Sequence, residues 1–361
     1  MNARRTAPAV GEAAGVGEAA GVGEAAGVGV VAAGRAVELL RAHADHPSAV
    51  LALNEGTSRY AGRSREGLVA YTRRGRRDVV QFAAPFARPE DRGGLLEEFW
   101  AHLAAGPGPA PRVTAAQVAR ADVPLYAERG FTVNQLGCTY GIDLARFTVR
   151  GKPLAKVRQN VNRARREGVT VVEADPGDLK DRRELDAIDA RWLAGKGRHV
   201  KELSFLIGER GGPAGPLRRT FLARHQGRTV GYISYSPVWG ARSGWLYDLT
   251  RRSPSAPVGT VELVNLTALA CFREEGAGWL HLGLTPFAGF RDAHEPACSS
   301  RGLGRALRWV AEHGRLVYPA RSQEAFKLKW APHVIEPEYV AFHDGVGLPA
   351  VWHLLRATGA V

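Results

Sequence analysis

Apolar positions recur at helical spacing in some stretches of this chain and alternate or run together in others, and the two patterns divide it into elements. Order is expected from near Val30, and GRAVELLRAHA reads as a helix. Gly67–Tyr71 and Asp78–Ala83 flank the basic turn RRGRR and predict a hairpin. Residues 90–104 place Leu95, Leu96, Phe99, Trp100 and Leu103 on one helical face. After the turn GPGPAPR come a short strand over Arg112–Thr114, a helix to Arg129 and a strand over Phe131–Ile142. A second, larger unit opens near Gly151 with a helix over Leu154–Glu167, the strand VTVVEA and a helix over Leu179–Leu193. Three strands follow at Thr220–His225, Thr229–Ser236 and Gly244–Leu249. The remainder reads as a helix (Thr260–Glu275), a strand (Trp279–Leu284), a looser stretch, a helix (Leu303–Glu312), a short helix around Gln323–Leu328 and a final strand (Tyr339–Phe342).

This alternation predicts an α/β (α+β) fold. In the second unit, three successive strands followed by helix, strand, helix and strand resemble the order of the GNAT acetyltransferase fold, and the first unit looks like a reduced copy. The expectation is two tandem GNAT acetyltransferase-like lobes, residues 30–150 and 151–361. Residues 11–28 are three copies of GEAAGV. Two glycines in every six residues cost about 1 kcal/mol each in a helix, so residues 1–29 read as a disordered tail.

Charge narrows the partner. Forty-nine Lys and Arg oppose 36 Asp and Glu, a net +13 over 361 residues, which favours a polyanion: nucleic acid, an acidic membrane surface or a phosphorylated ligand. An arginine-rich composition throughout is the plainer reading, but the bases cluster. Cys138, Cys271 and Cys298 are widely spaced and form no CxxC pair, which supports neither a disulfide framework nor a zinc site. The eleven His have no metal-ligand spacing. The first residues lack a long apolar core, and no apolar run approaches the ~18 residues that span a bilayer. The reading is a soluble, cytoplasmic protein with no integral membrane segment, no metal and no cofactor.

Three groups of residues carry candidate chemistry. From Arg146 to Gly168 the bases Arg146, Arg150, Lys152, Lys156, Arg158, Arg163, Arg165 and Arg166 face a single acid, Glu167. Such a helix fits a phosphate backbone, with Asn160 and Asn162 adding neutral hydrogen bonds; otherwise it is a solvated face. In WLYDLTRRSPSAPVGTVEL an apolar run ends on Asp248, Arg251 and Arg252 follow, and Glu262 lies early in the next helix. An acid there can hold an ammonium and an arginine can clamp a phosphate or carboxylate; alternatively Asp248 and Arg251 form an internal pair that caps the helix. Lys327 and Lys329 in SQEAFKLKW can neutralise phosphate or an oxyanion, or are a surface pair. Tyr235 and Tyr247 are pocket walls or core. Ser299–Gly304 has the glycine spacing of a pyrophosphate turn but follows a loop rather than a strand, and no GxSxG marks a serine nucleophile.

LYAERGFTVNQLGCTYGIDLARFTVRGKPLAKVRQNVNRARREG, WLAGK (192–196), the Asp248 segment, HLGLTPFAG and FKLKWAPHVIEPEYVAF together resemble the phosphatidylglycerol lysyltransferase C-terminal family, the catalytic domains of multiple peptide resistance factors, over roughly residues 55–342. The resemblance implies tandem acetyltransferase-type lobes that take aminoacyl-tRNA rather than acetyl-CoA. It places Asp248 and Arg251 at the acid–base positions of the substrate cleft, Lys327 and Lys329 at the paired lysines of the late motif, and Glu202 at a comparable acid. Asp248 is then expected to hold the aminoacyl ammonium, and Arg251 the terminal adenosine phosphate or the ester. Lys327 or Lys329 would stabilise the oxyanion or protonate the leaving ribose hydroxyl. Three departures bear on the acceptor: no multi-helix membrane domain accompanies the chain, the FKxKF motif ends in Trp330 rather than Phe, and where the family motif reads WxPRYL this chain reads IEPEYV, with Glu338 in place of Arg. Free-standing relatives transfer aminoacyl groups to small amines or hydroxylamines in natural-product pathways, as in the seryl transfer of valanimycin assembly. The expected activity is therefore transfer from aminoacyl-tRNA to a small soluble amine, hydroxylamine or hydroxyl acceptor. The rivals are a peripheral phospholipid aminoacyltransferase, a catalytically silent RNA-binding protein and an acyl-CoA enzyme, whose Gln/Arg-x-x-Gly-x-Gly/Ala turn RRSPSAPVG does not supply.

Overall fold

The computed structural model describes residues 31–195, 208–313 and 320–357. The first half comprises α1 (Ala33–His43), β1 (Ser58–Ala61), β2 (Gly67–Arg74), β3 (Asp78–Ala87), α2 (Arg92–Ala104), β4 (Arg112–Ala119), α3 (Val123–Ala127) and β5 (Thr132–Asp143). The second half opens with α4 (Ala155–Arg166), β6 (Thr170–Glu173), α5 (Leu179–Gly195), β7 (Arg219–His225), β8 (Arg228–Val238) and β9 (Gly244–Arg252). It continues through α6 (Thr260–Glu274), β10 (Trp279–Pro286), α7 (Arg301–His313), α8 (Ala320–Leu328), β11 (Val334–Phe342) and α9 (Leu348–Ala357).

Among the described residues all strands join one eleven-stranded sheet in the order β1-β2-β3-β4-β11-β5-β10-β9-β8-β7-β6, and two of its neighbouring pairs are parallel, β3 with β4 and β9 with β10. A parallel pair cannot be closed by a tight turn, so each needs a crossover, and α2 and α6 supply them. The same plan thus appears twice, giving an α/β fold of two tandem GNAT-type lobes. The lobes interlock. β11, from the end of the chain, lies between β4 and β5, while β5 of the first half pairs with β10 of the second.

One face of the sheet carries α2 and α3 over Phe99, Tyr126 and Phe131, and α4 and α6 over Tyr140, Phe221, Tyr235 and Phe272. The other face carries α1, α5, α7 and α9. β5 is buried on both sides along ten of its twelve residues, as the centre of such a sheet requires.

Three expectations need correction. β4 runs to Ala119, and the helix expected to reach Arg129 shrinks to Val123–Ala127, with Pro124 in its first turn. The alanine-rich TAAQVA favours a helix by local propensity, but it is enclosed between β3 and β11, where Ala115 and Ala116 are fully buried. β9 extends to Arg252, so both arginines sit in the strand rather than in the turn after it. The helix α9 was not anticipated. The GEAAGV repeats lie outside the described residues.

Each parallel pair comes apart partway along. β9 and β10 pair only at Gly244–Leu246 and Trp279–His281, and β3 and β4 only through Phe82 and Ala116. Ala83 and Gln117, just beyond the second opening, have positive φ (54° and 58°), which is uncommon for residues other than glycine. Both openings form a seam in the sheet.

Gly259 lets α4 close on α6 beside the β9–β10 opening. It precedes α6 with φ 92°, and a Cβ there would fall 2.0 Å from the Asn160 carbonyl oxygen of α4. Gly259→Ala is therefore expected to cost on the order of 3 kcal/mol of unfolding free energy, because backbone strain and a backbone clash add. Denaturant titration checks this; a loss under ~0.5 kcal/mol would mean that the α4–α6 contact yields freely.

Candidate active site

The seam between β9 and β10 gathers most of the residues singled out from the sequence, in two layers. On the α5 side lies Asp248. β8 pairs Ser234 with Leu249 and Tyr235 with Tyr247, so Asp248 is the extra residue of a β-bulge. The bulge turns its carboxylate inward, where it accepts hydrogen bonds from Ser236 Oγ and from Arg218 Nε at 3.2 Å. Arg218 also donates to the Gly211 carbonyl and to Asn54 Oδ1, both at 3.0 Å. The Arg218 and Asp248 side chains are only 2% and 3% exposed. Burial pushes the Asp248 carboxyl above its usual range, while Arg218 and Ser236 pull it back. Gly208 lies against the carboxylate, and a Cβ there would sit 1.7 Å from Oδ1.

Asp248 is thus held by Arg218, not by Arg251. Arg251 stacks its guanidinium 3.6 Å from the centroid of the Trp192 ring and donates to the Thr250 carbonyl. Arg252, the next residue along the strand, is exposed on the opposite face. These three residues, close in sequence, therefore do not form one cluster, because strand alternation and the bulge send them different ways.

On the α6 side, Glu262 accepts from Lys329 Nζ at 2.9 Å and from Asn160 Nδ2 at 2.7 Å. Burial alone would raise the Glu262 carboxyl, but Lys329 and Asn160 outweigh it and hold it below the usual range. Lys329 Nζ also lies 4.0 Å from the Phe326 ring centroid, and Tyr247 packs against the same ring at 5.7 Å. Tyr235 is different: it is fully buried, donates to Asn265 Oδ1 at 2.8 Å and meets Tyr247 edge-on, so it is core rather than wall.

Lys327 and Lys329 straddle the end of α8, where residues two apart point away from each other. Lys327 turns into the seam. Its Nζ donates to the Gly283 and Leu284 carbonyls at 2.8 and 2.9 Å. Burial pushes its ammonium down to about 7, against the pull of Glu338.

The basic helix α4 packs Val157, Val161 and Ala164 inward. Lys152, Lys156, Arg163, Arg165 and Arg166 are exposed, with Arg163 paired to Glu167 at 2.7 Å. Arg158 departs from the expectation: its guanidinium donates to the Val149 and Gly151 carbonyls, which turns it back onto the chain. Glu202 and Lys196 lie outside the described residues. Sequence reading missed Arg218, Asn54 and Ser236 as partners of Asp248. The one signal for Arg218 was a basic residue immediately before an apolar strand.

The model of the phosphatidylglycerol lysyltransferase C-terminal family matches residues 37–342. The chain is 31% identical over 233 residues to the lysylphosphatidylglycerol biosynthesis bifunctional protein LysX of Mycobacterium marinum. That overlap takes in 63% of this chain and 20% of LysX, so the chain spans about a fifth of that relative's length. Two solved structures share the fold. One is a C-terminal domain (DUF2156) assigned to a lysylphosphatidylglycerol synthetase of Agrobacterium fabrum, with TM-score 0.73, 24% identity, and 91% of this chain and 98% of that one covered. The other is L-PGS of Bacillus licheniformis, with TM-score 0.72, 21% identity, and 90% and 96% covered. A match that runs from the first helix to the last strand of the sheet makes this chain a member of the phosphatidylglycerol lysyltransferase C-terminal family.

Proposed function

We propose that the protein transfers an aminoacyl group from tRNA to a small soluble amine, hydroxylamine or hydroxyl acceptor, in the setting of natural-product assembly. The observation that carries this reading is the β9–β10 seam, where two lysines, Lys327 anchored inside and Lys329 at the edge, lie beside the packed rings of Tyr247 and Phe326. An aminoacyl ester is already activated, so the enzyme's task is placement, which is worth up to ~7–11 kcal/mol in well-oriented reactions, together with donors for the developing oxyanion. In this scheme the acceptor nitrogen or oxygen attacks the ester carbonyl and the ribose oxygen leaves. Lys327 supplies the proton to that oxygen, and Lys329, steadied by Glu262, faces the oxyanion.

Asp248 acts from behind. Its pairing with Arg218 holds the bulge that sets the direction of Tyr247, and leaves Arg251 to meet phosphate beside Trp192. Membership of a family with aminoacylating relatives supports the donor. The basic face of α4, one helix away from Glu262, supports tRNA as its carrier.

A second reading makes the acceptor a phospholipid head group at a membrane surface. The name of the LysX relative favours it. Among the described residues no helix is long and apolar enough to cross a membrane. Flotation with vesicles containing phosphatidylglycerol distinguishes the two: the small-acceptor reading expects the protein to stay with the soluble fraction, and co-flotation with aminoacyl transfer to lipid would replace it.

Three outcomes test the main reading. Label from individually charged tRNAs should pass to an acceptor extract, and ribonuclease treatment of the charged tRNA beforehand should abolish it; transfer that survives the treatment would sink the proposal. Asp248→Asn should lower turnover at least ~10-fold while tRNA affinity stays within about twofold, because the α4 surface is untouched; a fully active variant removes Asp248 from the site. Reversing charge at Arg163, Arg165 and Arg166 should weaken tRNA binding and flatten the slope of log affinity against log salt by roughly 2 to 3, at about 0.7–0.9 per phosphate contact. An unchanged slope would return α4 to a solvated face.

A further inference from the structure

The basic turn between β2 and β3 stands out in the sequence as RRGRR, and the acyl-transfer scheme gives it nothing to do. The hairpin pairs Arg74 with Asp78, which leaves Gly75, Arg76 and Arg77 as its loop. Arg73, Arg76 and Arg77 are exposed. The acid at the root of the turn is already engaged: Asp78 accepts from Arg112 Nε at 2.7 Å and lies 3.5 Å from His353 Nε2. Among the described residues no ion pair involves Arg73, Arg74, Arg76 or Arg77. The turn packs against α9, where a Cβ on Gly75 would meet the His353 ring at 3.0 Å, and the exposed Arg356 of that helix adds a further cation. Like charges gathered this closely repel one another, and an anion laid across them relieves the repulsion.

Strand direction fixes where the turn lies relative to the seam. β3 and β4 set out together from Asp78 and Arg112, so the turn marks one rim of the sheet. β11, antiparallel to β4, ends on that rim at Phe342, and β5, antiparallel to β11, begins there at Thr132. β10 runs against β5 and β9 runs with β10, so both point toward the same rim and the seam opens onto it. Beyond the seam, β8 begins on this rim at Arg228 and β7 ends on it at His225. β6 begins there too, at Thr170, four residues after α4 ends at Arg166. The RRGRR turn, the mouth of the seam and the basic C-terminal end of α4 therefore share one rim.

The turn and α4 lie on opposite sides of the mouth. Four strand spacings, about 19 Å, separate β3 from β10, and three separate β9 from β6. Between the turn and the seam the rim carries two exposed acids, Glu128 shortly before β5 and Asp344 just after β11. The positive charge thus forms two patches, one from each lobe, rather than a continuous band.

We propose that the RRGRR turn is a second phosphate-backbone contact for tRNA, placed across the seam mouth from α4, so that both lobes hold one RNA with its aminoacyl end between them. This deepens the tRNA-dependent reading above and rests on it. Arginine suits the task because its guanidinium grips phosphate oxygens in a fork. RNA is favoured over an anionic bilayer because the turn itself holds no apolar side chain to enter one. Leu348 and Trp352, exposed on the neighbouring α9, make a bilayer the competing outcome of the test.

The test uses the full chain, uncharged total tRNA as the binding probe, and vesicles containing phosphatidylglycerol. Combining Arg76→Gln with Arg77→Gln removes charge from an exposed loop and leaves Gly75 in place. The tRNA affinity should fall ~5-fold or more, and the slope of log affinity against log salt should flatten by roughly 1.5, at about 0.7–0.9 per phosphate contact. Arg76→Lys with Arg77→Lys keeps the charge and should restore the slope. Added to the α4 charge reversals, the glutamine pair should flatten the slope by its own amount again, since the two patches are well apart. Backbone-cleavage footprints of the tRNA should lose one protected stretch in the turn variant and a different one in the α4 variant. Unchanged affinity and slope in the turn variant, beside a weakened α4 variant, overturn this proposal and leave the tRNA reading standing. Loss of the same protected stretch in both variants overturns the two-sided arrangement. A turn variant that keeps tRNA binding but no longer floats with the vesicles makes the turn a lipid contact and overturns the proposal. If the unaltered chain binds no tRNA, the reaction reading falls and this contact falls with it.

Discussion

Once β9 and β10 part after Leu246 and His281, the backbone groups along the seam lose the partners a parallel pair would have given them, and they do so inside the protein. Buried backbone polar groups are costly to leave unmade, so the seam has to be furnished with side chains. On β10, the register shift before Gly283 and its φ of 71° bring two consecutive carbonyls to the same side, and one lysine takes both. On β9 the strand inserts a residue, and the inserted residue is an acid locked by an arginine and a serine. Lys327 is therefore where it is because a parted sheet leaves carbonyls to be satisfied, whereas Asp248 is turned inward by the bulge in the β8–β9 ladder. A lysine that must sit among carbonyls in a dry place is also a lysine whose proton is loosely held near neutral pH.

The interlocked topology explains why the site draws on both lobes. α8, which carries Lys327, leads directly into β11, which carries Glu338, and β11 is fixed between β4 and β5 of the first half. Two contacts tie the first half to this machinery: Asn54 receives Arg218, and His46 faces Glu338. A third, the Glu55 amide donating to Glu209, anchors the loop that covers Asp248. Neither lobe could present the seam alone, since the strand that closes one comes from the other.

Much of the architecture was legible from residue patterns. The β2–β3 hairpin announced itself by its basic turn, and α2, α4 and α6 by their apolar faces, because those signals are local. β4 was misread because alanine carries a helical preference that burial between two strands overrides. For the site, residue identities were readable and their partners were not. Asp248 and Arg251 are three apart in sequence, and nothing local reveals that a bulge separates them. The true partner, Arg218, is thirty residues upstream, and a bulge leaves no mark in the sequence. Lys327 and Lys329 looked like a pair, yet the helix end sends one into the sheet and the other to Glu262. Glu338 was visible as a departure from a motif, and nothing local showed that it is buried in the middle of the sheet.

The α4 helix shows how a binding surface and a reacting centre can be joined without a long path. Its buried side, Val157, Val161 and Ala164, packs toward α6, and Gly259 allows the backbones to touch. From the same helix Asn160 reaches Glu262, which holds Lys329. One residue therefore separates the exposed basic face from the lysine at the seam. The division of labour within the helix follows from its geometry: Arg158, turned back onto two carbonyls, fixes the loop that enters the helix, whereas Arg165 and Arg166 project outward. Two side chains, Asn160 of α4 and Glu262 of α6, therefore join the exposed basic helix to the lysine at the seam, so the two are held in a fixed relation across three elements.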